Sequence, residues 1–230
     1  MAPAARPRYA IALWVSLPFI SLSVLDGAWK STLLNGPHLG FWVYDFAKWM
    51  LLPILLMGVL QQFSAIRPRD YGLSADLGTR DLFYVLPLPL VSLFFANTLA
   101  TGIANVAMGW PKPPFAYPEV LAPLGQLWIL GTLYLSVTAA VWESIFLIGL
   151  PWLWYSRGTP GSRAARHVFA IGSALVFAAC HWENGMPNVI GAFFFEWLAF
   201  WWYLSLRTLW PVIGAHFLID LYYFWPYAKL

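Results

Sequence analysis

Apolar stretches long enough to cross a bilayer dominate this chain, and they leave few folds open to it. A helix needs about 20 apolar residues to span a hydrocarbon core of about 30 Å, and such runs lie near 9–29, 41–63, 82–108, 126–155, 165–183, 188–206 and 208–226. Segments rich in Pro, Gly and Arg separate them, among them GPHLG, IRPRDYGLSADLGTRD, GWPKPPFAYPEVLAP and SRGTPGSRAAR. With 60% hydrophobic and only 10% charged residues among 230, and a mean hydropathy of +0.65, the chain has too little polar surface for a soluble domain. The expected fold is an all-α polytopic transmembrane bundle of about seven spans. The fourth run exceeds a perpendicular span, so it must tilt or project beyond the bilayer. No small-residue cleavage site follows the first run, which is expected to remain as a helix. The single cysteine, Cys180, excludes an internal disulfide and a cysteine-rich metal site. No internal repeat divides the chain; residues 1–124 are expected to supply N-terminal helices and 125–226 the chemistry, within one membrane domain.

Basic residues concentrate in cytoplasmic loops, and here they alternate with the runs. Arg6 and Arg8 precede the first run, Arg67, Arg69 and Arg80 follow the second, Arg157, Arg163 and Arg166 follow the fourth, and Arg207 follows the sixth. The opposite loops hold Lys30 and Lys112, with Lys229 at the C-terminus. This pattern predicts a cytoplasmic N-terminus and an integral membrane protein, and the Arg-rich inner loops suggest a bacterial inner membrane.

Ionisable residues inside apolar runs cost at least about 2.5 to 3.5 kcal/mol each at the bilayer centre, and a residue kept there usually faces a protein interior or a wet cavity. The candidates are Glu143, His181, Glu183, Glu196, His216 and Asp220. His216 and Asp220 stand at i and i+4, on one face of a helix about one turn apart. Each of these groups also has a structural reading, because a buried polar side chain is normally hydrogen-bonded to something. Glu196 has no partner by spacing and reads as structural. Asp26, Asp45 and Lys48 are expected to snorkel to an interface, Cys180 to be a small core residue, and the Trp and Tyr clusters to form belts and packing.

Three stretches, in order, resemble the motifs of the membrane-embedded CPBP family, which includes the type II CAAX prenyl endopeptidases and bacteriocin-processing or self-immunity proteins. They are ESIFLIG (Glu143 to Gly149), Phe177-Ala-Ala-Cys-His181, and TLWPVIGAHFLID (Thr208 to Asp220). The resemblance covers roughly 125–225. It implies a peptidase in which Glu143 is catalytic. The family's first motif has a second glutamate and an arginine, and here Ser144 and Ile148 stand in those places. Both members of a supporting carboxylate–guanidinium pair are therefore absent together, which strands no buried charge. One branch of the superfamily, the myxosortases, resembles enzymes that trim C-terminal membrane tails of exported proteins.

As the resemblance implies, Glu143 assisted by His181 would deprotonate a water, and His216, oriented by Asp220, would donate to the oxyanion. The expected partners are a membrane-anchored or tail-bearing protein substrate and the lipid bilayer, with no nucleic acid and no cofactor. Three other readings stay open. The same residue types can ligate zinc, although no His-Glu-x-x-His is present. A non-catalytic immunity or scaffold protein could keep the fold, as the altered first motif favours. A proton-coupled transporter could use Glu143, His216 and Asp220, against the absence of repeats. The orientation predicts that, in a Cys180→Ala background, Asp70→Cys labels with an impermeant thiol reagent only from the cytoplasmic side and Trp110→Cys only from the other; the reverse pattern overturns it.

Overall fold

The structure, a computed structural model, describes residues 6–34, 38–74, 85–109, 118–158 and 162–225. Among these every apolar run is helical and no strand occurs. Lipid offers the backbone no hydrogen-bond partners, so each spanning segment must satisfy its own N–H and C=O groups, and the helix is the local solution. We number the principal helices α1 (Arg6–Leu25), α2 (Gly27–Leu34), α3 (His38–Phe63), α4 (Pro87–Met108), α5 (Ala122–Arg157), α6 (Arg163–Ala179), α7 (Met186–Leu206) and α8 (Trp210–Phe224). By length and composition α3, α4, α5 and α7 can each cross a membrane, and Tyr9–Leu25 is a shorter apolar helix. Of the residues used for orientation, Arg80, Lys112 and Lys229 lie outside the described residues.

Helix α5 is the axis of the bundle, and its extra length fits that position. Its first half packs against α8, and its last turns pack against α1. Helix α7 lies between α4 and α6, and α8 also touches α4. The core contains Phe19, Phe146, Phe200, Ile148, Leu150 and Leu209, each at most 1% exposed. Large apolar side chains also cover the outside, including Val106, Leu39, Phe63 and Trp14. That distribution suits a hydrocarbon surround.

One expectation fails in the first two runs. Asp26, Asp45 and Lys48 do not snorkel; their residues are 0%, 3% and 3% exposed. Lys30, assigned to an outer loop, is also buried, on α2. Asp26, Lys30 and Lys48 find ionic partners inside the bundle, which removes their reason to reach for the interface.

Two π-helical turns interrupt the long helices, Ala47–Leu51 in α3 and Ser144–Gly149 in α5. A π-turn inserts an extra residue into a turn and is common at functional sites. A proline follows each one closely, Pro53 and Pro151. Pro151 has no N–H, so the Leu147 carbonyl four residues earlier lacks its ordinary helical donor. The Ser173 hydroxyl of α6 lies 2.9 Å from that carbonyl and serves it instead.

The segment between α3 and α4 locks the far end of this turn. Gly72 has φ +98, a conformation that favours glycine, and its carbonyl accepts from the Leu209 N–H at 2.8 Å and the Thr208 hydroxyl at 3.1 Å. A Cβ on Gly149 would stand 2.6 Å from the Tyr71 carbonyl oxygen. The glycine of ESIFLIG is thus required by backbone-to-backbone approach. Gly149→Ala should cost about 1–3 kcal/mol through overpacking and lower the melting temperature in detergent, whereas Gly58→Ala, with nothing within 4 Å of its Cβ, should not. Equal melting behaviour of the two variants would contradict this docking.

Candidate active site

Glu143 is the last α-helical residue of α5 before the π-turn, and its residue is 8% exposed. It faces α8, where His216 and Asp220 lie one turn apart as their spacing requires. His216 Nε2 stands 3.6 Å from Glu143 Oε2 and 3.4 Å from Asp220 Oδ2. Both separations exceed the usual 2.7–3.2 Å of an N–H···O hydrogen bond, so they are close ionic approaches with room to tighten around a ligand. Asp220 approaches the same ring nitrogen that faces Glu143. It therefore stands beside the carboxylate–imidazole contact rather than behind the ring, on the Nδ1 side where a purely orienting carboxylate would sit.

His181 follows α6 in a turn at φ −118, ψ 13. Its Nδ1 lies 2.8 Å from the Phe177 carbonyl oxygen. A carbonyl only accepts, so Nδ1 carries the hydrogen, and the neutral ring presents the lone pair of Nε2. The two imidazoles share Phe177 as a wall: its ring centroid lies 4.6 Å from that of His181 and 6.2 Å from that of His216. Phe195 of α7 completes the wall, 4.8 Å from His216 and stacked at 5.8 Å on Phe177. The i, i+4 spacing in Phe-x-x-x-His thus supplies both the carbonyl that holds the tautomer and the ring that separates the histidines.

The four sequence candidates Glu143, His181, His216 and Asp220 come together from α5, the turn after α6, and α8. Glu196 does not join them directly. It is 2% exposed, and its Oε1 lies 3.1 Å from the Ser173 hydroxyl, the group that also serves the Leu147 carbonyl. Its structural reading thus has a specific content, since it backs the π-turn beside Glu143. Ser144 and Ile148 are both buried; among the described residues the Ser144 hydroxyl has no hydrogen-bond partner, and Ile148 lies in the apolar core. Among the described residues no group of three or more His, Cys, Asp or Glu side chains has the arrangement to hold a metal ion.

A second polar cluster adjoins this one, built from Asp26 and Lys48, expected at an interface, Lys30, expected in an outer loop, and Glu183. Asp26 Oδ2 accepts from Lys48 Nζ at 2.7 Å and from the Tyr44 hydroxyl at 3.1 Å, with Lys30 Nζ at 3.8 Å. Lys30 Nζ also donates to Glu183 Oε1 at 3.1 Å. Its available signal was the number of ionisable residues in the first two apolar runs, where intramembrane charge is functional by default. Their contacts join residues up to 153 positions apart, which no local spacing reveals.

Comparison with known proteins bears on the same part of the chain. Residues 125–222 match the family model described as type II CAAX prenyl endopeptidase Rce1-like. Neither a curated protein nor a solved structure matches the chain. The matched stretch contains Glu143, His181, His216 and Asp220, in the three motifs that carried the resemblance. The match covers residues 125–222, less than half of the chain, and supports the CPBP resemblance for that segment; together with the long apolar helices it supports an integral membrane protein with a type II CAAX prenyl endopeptidase-like segment.

Proposed function

We propose that the protein is a membrane-embedded endopeptidase in which Glu143 activates a water against a peptide bond near a membrane-anchored or C-terminal segment of a protein substrate. The observation that carries this reading is the convergence of Glu143 with the Nε2 of His216, at 3.6 Å, in a buried site flanked by His181. The family is a protease family, which supports the reaction class. Prenylated substrates are not required by it. The Arg-rich inner loops favour a bacterial inner membrane as its setting, and tail removal from exported proteins fits that setting.

In this mechanism Glu143 takes a proton from water as the oxygen attacks the carbonyl carbon, forming a C–O bond and placing negative charge on the carbonyl oxygen. The lone pair of His181 Nε2 accepts a hydrogen bond from the same water and aims it. His216, protonated at the nitrogen facing the site, donates to the oxyanion, where a fixed donor in a water-poor site is worth most. Asp220 stands 3.4 Å from that same nitrogen and restrains it from the side of the site rather than from behind the ring. The proton on Glu143 then passes to the departing amide nitrogen, the C–N bond breaks, and a carboxylic acid and an amine leave. Water must enter for every turnover, and Asp220, with its side chain 18% exposed, marks the side of the site open to it.

The replacement of the family's second glutamate and arginine by Ser144 and Ile148 favours a second reading, a non-catalytic scaffold that keeps the fold. A cleavage assay of purified protein in detergent against membrane-tail peptides separates the two. Wild type should cleave, and Glu143→Gln should lose about 10²–10⁴-fold in rate, the usual contribution of a general base. His181→Ala should fall in the same range, and activity should survive EDTA. A folded Glu143→Gln protein that cleaves like wild type overturns the assignment, and loss of activity to EDTA replaces it with a metal-dependent mechanism.

A further inference from the structure

The ionic cluster of the N-terminal helices has no part in the mechanism above, yet it is buried against the residues that do. Asp26 lies at the break between α1 and α2 and is 0% exposed. Buried ion pairs are weak contributors to stability and are costly within a membrane. Two lysines and two carboxylates joined in one such network therefore call for a reason beyond packing.

The cluster reaches the active site along two arms. Lys48 lies in the π-turn Ala47–Leu51, which packs on the α5 stretch ending at Glu143. Its ammonium lies 4.4 Å from the centroid of the Trp49 ring; Trp49 meets Phe19 edge-on at 5.4 Å, and Phe19 stacks at 4.8 Å on Phe146. Phe146 belongs to the π-turn that begins immediately after Glu143. The other arm runs from Lys30 to Glu183, two residues beyond His181. Trp182 Nε1 donates to the Val24 carbonyl at 2.7 Å, and a Cβ on Gly27 would come within 3.0 Å of the Glu183 Cβ, so this turn is pressed onto the α1–α2 break.

Helix α5 supplies no cation of its own beside Glu143. Ser144 and Ile148 occupy the places where the resemblance implies a carboxylate and a guanidinium, and the Ser144 hydroxyl is buried with no hydrogen-bond partner among the described residues. We propose that Lys48, held by Asp26, is a positioning residue for Glu143, an anchor on α3 that acts through Trp49, Phe19 and Phe146 on the π-turn beginning after Glu143, with Lys30 and Glu183 tying the His181 turn to the same anchor. This inference rests on the hydrolytic reading and adds the N-terminal helices to the active machinery.

Steady-state cleavage in detergent tests it, with wild type, Glu143→Gln, Lys48→Arg, Lys48→Met and the double variant Asp26→Asn/Lys48→Met compared at equal folded concentration. Removing both charges avoids stranding one, so the double variant keeps the fold where Lys48→Met alone fails. The double variant should retain the wild-type melting temperature and KM while kcat falls about 10²-fold, the scale of a misplaced reacting group. Lys48→Arg, which keeps the charge, should restore most of kcat. A double variant with wild-type kcat overturns the proposal, as does one whose only change is a lower melting temperature. If wild type cleaves and Glu143→Gln does not, the hydrolytic reading survives that failure; an inert wild type removes both.

Discussion

Lipid takes no hydrogen bonds from a protein and hydrates no charge, so a chain in this solvent must place every ionisable group against a partner of its own. The arrangement of polar and apolar side chains follows from that. Val106, Leu39 and Phe63 face outward, whereas Asp26, Lys48 and Glu196 are at most 3% exposed. The same rule explains why Asp26 gathers two ammonium groups and a phenol, and why the Ser173 hydroxyl turns to a backbone carbonyl rather than outward. In water such clusters would be marginal; in hydrocarbon the alternative for each group is no partner at all.

Helix α5 concentrates these demands at one level. Pro151 removes a helical donor, the π-turn Ser144–Gly149 absorbs the mismatch, and Ser173, backed by Glu196, satisfies the freed Leu147 carbonyl. Gly149 lets the Tyr71 carbonyl approach the same turn from the opposite side. Glu143 sits at the upstream edge of this clamped turn, so α3, α6 and the segment around Gly72 all restrain the helix that carries it. Such restraint suits a general base, whose efficiency depends on where its oxygen is held more than on the energy of any one contact.

Around Glu143 the imidazoles are held by different means. His181 is fixed through its own helix, by the Phe177 carbonyl, whereas His216 is fixed by the Phe177 and Phe195 rings and by two carboxylates at one nitrogen. A tautomer set by a backbone acceptor suits a ring that accepts from water, and a nitrogen between two carboxylates suits a ring that donates. Under the proposed hydrolytic mechanism, this difference in environment would divide the roles between two side chains of the same type.

Much of this was legible before any coordinates. Run length and the scarcity of charge determine a helical membrane bundle, because a helix alone satisfies the backbone within one continuous apolar segment. The i, i+4 spacings determine that His216 shares a face with Asp220 and that Phe177 lies beneath His181. Three features needed the tertiary structure. Nothing local distinguishes an ionisable side chain that snorkels outward, as expected for Asp26, Asp45 and Lys48, from one that turns inward; the partner of Lys48, Asp26, lies 22 positions away at the break between α1 and α2. Asp220 meets the Nε2 of His216 rather than its Nδ1, which helical spacing leaves undetermined because rotamer choice is set by the neighbours. The link between Lys30 and Glu183 spans 153 positions. Sequence alone decided which groups enter the membrane, since that depends on local composition; which of them meet was decided only by packing, since helices bring together residues that the chain keeps far apart.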